Sequence, residues 1–336
     1  MGELVDQREP VAAEASDGTL PSISVVICAY TMRRWDRLCA AVESCRRQTY
    51  PAHEVLVVVD HDDELAERAS AELADGAVTV LASDRAPGLA GARNCGVHHA
   101  TGDVVAFLDD DAAAEPGWLR LLAEAYADPG VVGVGGGIEP DWESGRPSWF
   151  PDELAWTVGC TYPGYGGGQV RNLIGANMSY RRAVLERLGF AEGVGQVGTS
   201  MMRCDDTDFG VRLAAEHGGG LRIVPAAIVH HHVPAERANV RYVVTRCFTE
   251  GRAKRRLVDD HGASAVLGPE RRHAMTTVPL GVVRAAGESV RRRTGEPLSR
   301  AAASVGGLAT AAAGYAWEST HLTVRRRWPT GQWSRT

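Results

Sequence analysis

Short, nearly continuous apolar runs alternate with helical segments through the first third of the chain. Four such runs, rich in β-branched residues, cover residues 23–29, 54–59, 78–81 and 104–108. Helical segments are predicted between them, at 36–48, 63–74 and 89–99. Continuous apolar runs are typical of strands that are buried on both faces of a parallel sheet. The alternation of strands and helices therefore predicts a doubly wound α/β domain.

The pattern is less regular after residue 130. Further strand-like runs cover residues 131–138, 172–180, 221–224 and 227–230. Helices are predicted at 181–188, 205–217 and 239–260. Two Gly-rich segments, 139–168 and 192–204, lack periodicity and are expected to be long loops, which usually have a function or are disordered.

These patterns divide the chain into three parts. Residues 1–20 hold five acidic side chains and no apolar signal-peptide region, so we expect a flexible leader there. The predicted α/β domain covers residues 21–261, and its two halves are 21–115 and 116–261. Residues 262–336 form a predicted helical, basic C-terminal extension.

The formal net charge of −6 conceals an acidic body and a basic tail. Residues 1–236 hold 18 basic and 35 acidic side chains, whereas residues 237–336 hold 18 and 7, so the two parts carry −17 and +11. A basic block favours an anionic partner or a solvated helical face. Arginine runs with tryptophans nearby suit an anionic membrane surface. The tail has such residues at Arg291–Arg293, Arg325–Arg327, Trp317, Trp328 and Trp333. A helical lid that packs on the α/β domain is the alternative.

Several observations bear on where the protein works. The longest uncharged stretch of the tail, Ala301–Trp317, is short and weakly apolar for a membrane span. Seven cysteines without a C-x-x-C pair are typical of a reducing compartment. No nucleic-acid recognition motif accompanies the basic tail, so no nucleic-acid partner is expected. We expect a cytoplasmic protein, with peripheral contact at the inner face of the membrane left open.

Polar residues follow three of the first four predicted strands. Tyr30, Asp60 and Asp109–Asp111 stand at these strand ends. Ligands of open α/β sheets bind beyond the carboxyl ends of the strands, although polar residues also end strands and cap helices. The chain has no G-x-x-x-x-G-K-[ST] and no G-x-G-x-x-G after its first strand, which argues against P-loop and dinucleotide-binding sites.

The Asp109-Asp110-Asp111 cluster favours a cation. In an extended segment Asp109 and Asp111 share a face, and such close carboxylates repel each other unless a positive charge neutralises them. Hard oxygen ligands suit Mg²⁺ or Mn²⁺, often together with substrate phosphates. A helix beginning at Glu115-Pro116 is a structural reason for the same residues.

A second acidic cluster and a histidine run complete the candidate chemistry. Asp205, Asp206 and Asp208 stand at a predicted helix start, where carboxylates favour the helix dipole or activate a hydroxyl. Within His230–His232, the first and third side chains share a face of a strand, and we expect His230 before His232 as a metal ligand. Arg93, within G-A-R-N, could add positive charge for a phosphate.

The order and spacing of several motifs over residues 21–255 are more specific than any one of them. They read V-V-I-C-A-Y-T, V-V-V-D, G-A-R-N-x-G, F-L-D-D-D with E-P-G-W, G-A-N-M-S-Y-R-R, D-D-T-D-F-x-x-R-L and V-x-H. In this order the chain resembles glycosyltransferase family 2, whose members have the GT-A fold. The resemblance implies an inverting, metal-dependent transferase that uses a nucleotide-diphosphate sugar.

The resemblance also implies roles on the nucleotide side of the site. Tyr30, Asp60 and Arg93 would hold the base, usually uracil, and Asp109 would lie near the ribose. The family's D-D-G-S after the second strand reads Asp60-His61-Asp62-Asp63 here, so the turn that follows the first aspartate does not match.

On the reacting side, Asp111 would bind the metal ion, and His230 matches a histidine found after the late strand. Asp206 matches the aspartate of the family's E-D motif and would be the catalytic base. Asp205 replaces the glutamate of that motif, so either residue could be the base. Asn177, in G-A-N, would lie near the donor sugar or the acceptor.

The sequence leaves the acceptor and two other protein classes open. Members with V-x-H-x-V-P and E-G-R-x-K often act on polyprenyl-phosphate-linked acceptors, and this chain has V-H-H-H-V-P and Glu250-Gly251-Arg252-Ala253-Lys254. The Q-x-x-R-W of processive members is absent, which favours single additions. A sugar-1-phosphate nucleotidyltransferase is one alternative, although no Gly-rich loop follows the first strand. A non-catalytic, membrane-associated binding protein on a degenerate transferase fold is the other.

Overall fold

The computed structural model describes residues 20–166, 170–192 and 204–327, with side chains up to residue 322. Residues 1–19 of the predicted leader, nearly all of the second Gly-rich segment, and Trp328 and Trp333 lie outside the described residues. The side chains of Arg325–Arg327 do so as well.

Eight strands form one mixed sheet. They are β1 (Ile23–Ala29), β2 (Glu54–Val59), β3 (Val78–Ala82), β4 (Val104–Asp109), β5 (Ala112–Ala114), β6 (Gly133–Trp142), β7 (Asn177–Arg181) and β8 (Leu221–Val233). Their order in the sheet is β3-β2-β1-β4-β7-β6-β8-β5. The first four strands are parallel neighbours, β7 runs antiparallel to both β4 and β6, and β8 runs parallel to β6. The α/β prediction is confirmed, with a sheet that becomes mixed beyond β4.

Seven helices accompany this sheet within the described residues. They are α1 (Trp35–Arg46), α2 (Asp63–Glu72), α3 (Leu89–His99), α4 (Trp118–Ala125), α5 (Arg182–Leu188), α6 (Asp205–His217) and α7 (Val240–His261). Capping side chains explain two of their starts: Asp62 accepts the Leu65 N–H at 3.0 Å, and Asn239 accepts the Tyr242 N–H at 2.9 Å.

Two apolar layers cover the sheet, one on each face. Ile23, Val25 and Ile27 of β1 belong to the layer that includes side chains of α1, α2 and α4. Val26 of the same strand belongs to the layer that includes side chains of α3, α5 and α6. Because both faces are buried, the strand reads as a continuous apolar run in the sequence.

The strand β8 departs from its prediction. The sequence suggests separate strands at 221–224 and 227–230, whereas β8 is continuous and its register against β6 shifts between Gly136 and Gly137. A Cβ atom on Gly136 would overlap the carbonyl oxygen of Ala227, so this close approach requires glycine. The expected loop 139–168 contains the end of β6 and a 3₁₀ helix at Asp152–Val158, and β5 was not predicted.

The tail is helical and packs on the α/β domain. Its elements are α8 (Ala263–Val266), α9 (Gly268–Arg272), a π-helical turn (His273–Thr277), α10 (Val278–Arg292) and α11 (Glu296–Arg327). Gly251 of α7 and Gly314 of α11 let the two helices touch backbone to backbone, since a Cβ on either would overlap a carbonyl oxygen of the other helix. Glu318 accepts hydrogen bonds from Arg252 and Arg256 at 2.8 and 2.7 Å. Among the described residues, no helix is long and apolar enough to cross a membrane.

Candidate active site

A small cavity of about 90 Å³ lies at the carboxyl ends of β1, β2 and β4. Tyr30, Asp60, Asp109 and Asp111 line it together, as the strand-end argument predicts. The Asp60 carboxylate accepts the Gly88 N–H at 2.9 Å and so ties β2 to the start of α3. Gly88 has a φ of 120°, a conformation that favours glycine.

Arg34 neutralises part of the charge at the end of β4. Its guanidinium lies 2.6 Å from Asp110 Oδ1 and 3.1 Å from Asp111 Oδ2. Arg34 was not predicted as a site residue, although it stands only five positions after the end of β1. Arg34 therefore holds one oxygen of Asp111 and leaves Oδ1 facing the other side.

The His231 imidazole faces this second side. Its Nε2 atom lies 3.4 Å from Asp111 Oδ1 and 3.9 Å from Asp109 Oδ2. One ligand atom from each of the three residues lies within 4.8 Å of the others. His231 Nδ1 is buried and has no hydrogen-bond partner among the described residues. Two carboxylates and an imidazole at this spacing fit a divalent cation.

Titration of this group reflects the same crowding. Burial raises the pKa of Asp110 to about 7 against the opposing charge of Arg34, and the Asp111 carboxylate adds to the rise. Burial disfavours the Asp111 carboxylate too, but His231 and Arg34 hold its pKa well below the ordinary value. Burial opposes a charged His231, yet Asp111 raises the pKa of the imidazole to about 10. The directions of all three pKa shifts therefore follow from carboxylates that are crowded beside Arg34 and His231.

The expected ligand His230 lies elsewhere. Its side chain is 43% exposed and faces Glu115 and Glu139 at 3.2 and 3.9 Å, whereas that of His231 is 5% exposed. Adjacent residues of a strand point to opposite faces, so only one of these two can reach Asp111. The register shift in β8 decides which residue it is, and a shift of this kind is not visible in the sequence.

Arg93 joins the two acidic clusters. The guanidinium is buried and forms an ion pair with Asp205, and it lies 3.9 Å from Asp109 Oδ1. The ring faces of Phe107 and Phe190 also lie against it, at 5.8 and 5.4 Å. Arg93 does not line the small cavity, where the family resemblance would place it near the base.

Asp206 differs from its neighbours in the second cluster. Asp205 is held by Arg93, and Asp208 accepts hydrogen bonds from Arg212 and His261, each at 2.8 Å. Asp206 Oδ1 accepts the Thr207 N–H at 2.6 Å. Burial raises the pKa of Asp206, the Asp205 carboxylate raises it further, and Lys254 opposes the rise.

A larger cavity of about 560 Å³ adjoins the second cluster. It shares Asp109, His231 and Arg237 with the small cavity, and Asp205 and Asp206 line it as well. Its apolar wall includes Leu154, Trp156, Val158, Leu267, Leu308 and Ala311. These wall residues come from both sides of residue 261, so the tail encloses the cavity together with the α/β domain.

A partly buried ion network lines the same cavity. Lys254 Nζ donates to Thr207 Oγ1 at 2.9 Å and lies 3.2 Å from both Glu250 and Glu270. Arg246 pairs with Glu250 at 2.6 Å, and Arg171 pairs with Glu270 at 2.7 Å. Burial opposes the charge of Glu250, but Lys254 and Arg246 lower the pKa of its carboxyl to about 2. The E-G-R-x-K motif pointed to two of these residues, and Glu270 and Arg171 had no signal in the sequence.

Asn177 lies in the core. Its Nδ2 donates to the carbonyl oxygens of Gly137 and Ala227, each at 2.9 Å, and its Oδ1 accepts the Trp118 Nε1–H at 2.9 Å. It lines neither of the two cavities. The Asn177 amide therefore bridges β6, β8 and α4, and its expected contact with the donor sugar or the acceptor stays a prediction.

Known proteins share both the sequence and the architecture. A glucosyl-dolichyl phosphate glucuronosyltransferase of Haloferax volcanii is 36% identical over 238 residues, which are 69% of this chain and 76% of that protein. The succinoglycan biosynthesis protein ExoM of Rhizobium meliloti is 32% identical over 177 residues, or 51% of this chain and 54% of its own length. A mannosyltransferase from Pyrobaculum calidifontis, solved with GDP-Man and Mn²⁺, aligns with a TM-score of 0.53 at 19% identity, covering 96% of this chain and 85% of its own.

The sequence motifs, the observed fold and these relatives all point to the same protein family. The structural likeness confirms the predicted GT-A fold. The sequence model of the family described as glycosyl transferase family 2 matches residues 24–189. Together with the 36% identity to the Haloferax enzyme, this match identifies the chain as a glycosyltransferase that belongs to family 2.

Proposed function

We propose that this enzyme transfers one sugar, with inversion, from a nucleotide-diphosphate sugar to a hydroxyl of a lipid-linked acceptor. The observation that carries the proposal is the meeting of the two cavities at Asp109 and His231. The cation-binding group lies on the side of the small cavity, and Asp206 faces the large one. A donor held in the first cavity would present its sugar to an acceptor held in the second.

The donor side is proposed to bind the nucleotide in the small cavity. Tyr30 and Asp60 contact the base, and Asp109 lies beside the ribose. Asp111 and His231, in place of His230, would hold a divalent cation, which would supply positive charge for the departing diphosphate. The imidazole ligand favours Mn²⁺ over Mg²⁺, and Mn²⁺ is also the ion named with the mannosyltransferase structure.

Asp206 is the proposed base. Asp205 is engaged with buried Arg93, so its charge is already committed to an ion pair. Asp206 lines the large cavity, and its raised pKa strengthens it as a proton acceptor. Asp206 takes the proton from the acceptor hydroxyl as that oxygen attacks the anomeric carbon from the face opposite the diphosphate.

The walls of the large cavity support a lipid-linked acceptor. Leu154, Leu308 and Ala311 offer apolar surface. Beside it, the ion network of Arg171, Arg246 and Lys254 with Glu250 and Glu270 holds one positive charge more than negative ones. An acceptor that combines a hydrocarbon chain with a phosphate suits such a lining. The Haloferax relative is named for a glucosyl-dolichyl phosphate, a molecule of this kind. Such an acceptor would place the enzyme at a membrane surface, on the cytoplasmic side.

A donor screen tests the proposal. The full chain is incubated with Mn²⁺, UDP- or GDP-sugars and a prenyl-phosphate glycoside, and nucleotide release and the anomeric configuration of the product are measured. We expect release that depends on one donor and on Mn²⁺, with one sugar added per acceptor. Pyrophosphate release from a nucleoside triphosphate, or a product with retained configuration, would contradict it.

A further inference from the structure

Helix α10 leaves several large apolar side chains exposed on its outer side. Val278, Gly281 and Ala285 face inward and are buried, and a Cβ on Gly281 would overlap the Glu153 carboxylate. Three further apolar side chains face outward, where Leu280, Val283 and Val290 are 60, 70 and 81% exposed. An amphipathic helix on a protein surface normally buries such aliphatic side chains.

Spacing places these side chains on one stripe. Leu280, Val283 and Val290 follow one another at intervals of three and seven residues, so they lie on the same side of the helix. Met275, in the π-helical turn just before α10, is 78% exposed. Together these four side chains form the outer apolar face.

Positive charge borders this face. Residues 268–300 hold seven arginines and three glutamates. Arg284 and Arg291 flank the stripe on one side by helical position, and Arg291–Arg293 end the helix. All three glutamates are paired, Glu270 with Arg171, Glu288 with Arg292 and Glu296 with Arg300, and the seven arginines still leave an excess of four positive charges in this segment. Apolar side chains beside arginines are the signature of a helix that lies in the plane of an anionic membrane interface.

The outer apolar face also borders the large cavity. Leu267, His273 and Thr277, from the segment that leads into α10, line that cavity, while Met275 of the same turn faces outward. A surface that binds here would lie next to the cavity wall. A second copy of this chain is a poor occupant, because a two-fold contact would bring the arginine clusters together.

We propose that the outer apolar face of α10 docks on an anionic phospholipid bilayer, with Met275, Leu280, Val283 and Val290 entering the interface and Arg284 and Arg291–Arg293 contacting the headgroups. The helix lies along the surface and does not span it. This docking does not depend on the proposed transfer reaction, because it rests on surface side chains alone.

Vesicle flotation of the full chain tests the proposal. We expect binding to vesicles of phosphatidylcholine with about one third phosphatidylglycerol, weaker binding in high salt, and weak binding to phosphatidylcholine alone. Val283→Ser combined with Val290→Ser should lower the partition coefficient at least about tenfold, as two interfacial aliphatic side chains are lost. Val240→Ser with Val244→Ser, at exposed valines of α7, is the matched control and should bind like the wild type.

Two other measurements keep the result interpretable. Thermal unfolding should be unchanged in both double variants, since all four valines are exposed. Wild-type protein that fails to float with anionic vesicles, or an α10 variant that floats equally well, would overturn the proposal. A concentration-dependent dimer that the α10 variant abolishes would overturn it as well, since a second copy would then cover this face.

Discussion

The two acidic clusters of the site solve the problem of crowded carboxylates differently. At Asp109–Asp111, one arginine is shared between two carboxylates, and a histidine faces the remaining oxygens. In the second cluster, Asp205 and Asp208 each have their own cationic or imidazole partner. The first cluster is thus short of positive charge, whereas the second is compensated except at Asp206. This contrast supports the proposed assignment of a cation to the first cluster and of the base to the second.

The largest effect is expected at Asp206. Asp206→Asn removes the proposed proton acceptor and should lower kcat by about 10²–10⁴-fold, the usual contribution of general base catalysis. Nucleotide binding in the presence of Mn²⁺ should change little, and calorimetry with UDP and Mn²⁺ is the control. A variant with near-normal kcat would remove Asp206 as the base.

Asp205 should behave as a structural partner. Asp205→Asn leaves Arg93 buried without its main counter-ion, and we expect a loss of about 3–5 kcal/mol in the free energy of unfolding. Asp141→Asn is the control, because Asp141 pairs with Arg37 in an exposed ion pair at 3.4 Å and should cost at most about 1 kcal/mol. Urea unfolding of both variants measures the difference. Equal losses would show that Arg93 does not depend on Asp205.

His230 and His231 are neighbours on β8, so substituting each in turn tests which of them binds a cation at the first cluster. His231→Ala should weaken Mn²⁺ binding at least about tenfold, the scale seen when partners of a metal site are lost. His230→Ala should leave it within about twofold, because His230 faces Glu115 on the opposite side of β8. Titration followed by electron paramagnetic resonance of free Mn²⁺ measures both. The reverse ranking would restore His230 as the ligand.

The smallest expected effect is a shift in the pH dependence of kcat/KM. Because the folded pKa of Asp206 is raised, kcat/KM should fall with decreasing pH at a higher pH than for an ordinary aspartate. Glu250 is one of the negative charges that raise this pKa, so Glu250→Gln should move the acid limb to lower pH. Glu186→Gln, in an exposed pair with Arg182, should leave the limb in place. A limb that moves to higher pH in Glu250→Gln would contradict this assignment.

The carboxylate of Glu250 also makes the stability of the protein depend on pH. The folded pKa of Glu250 is lowered to about 2 from an ordinary value of 4.5. Its contribution to stability is therefore present above about pH 4.5 and is lost as the pH falls toward 2. Wild type should lose more stability over this interval than Glu250→Gln, as followed by urea unfolding at each pH. Parallel curves would show that Glu250 is not held ionised by Lys254 and Arg246.

Local patterns predicted the first half of the fold well. The runs at β1, β2 and β4 are apolar on both faces because helices cover both sides of the sheet, and the bounds of these strands follow the sequence closely. Tyr30, Asp60 and Asp109 meet at one edge because parallel neighbours end together. The family, its fold and the acidic positions could thus be predicted from the chain.

The remaining details depend on contacts between distant segments. His231 rather than His230 faces Asp111 because β8 shifts register where Asn177 bonds to Ala227. Arg34 reaches Asp111 from a turn 77 positions earlier in the chain. Arg171 meets Glu270 only after the tail folds back on the α/β domain. The periodicity of apolar residues describes single helices and strands, so it does not tell which distant segments come into contact.

The wall of the large cavity is built by both the α/β domain and the tail. This affects which parts of the site a relative of this chain can be expected to share. The matched family region ends at residue 189, before Asp206, the ion network of α7 and all of the tail. Because Leu308 and Ala311 of the tail complete the wall, a chain that shares only the matched region can have Tyr30, Asp60 and the aspartates of β4 while lacking both His231 and this wall. Replacing the tail of one member with that of another would then alter the proposed acceptor site and leave these strand-end residues in place.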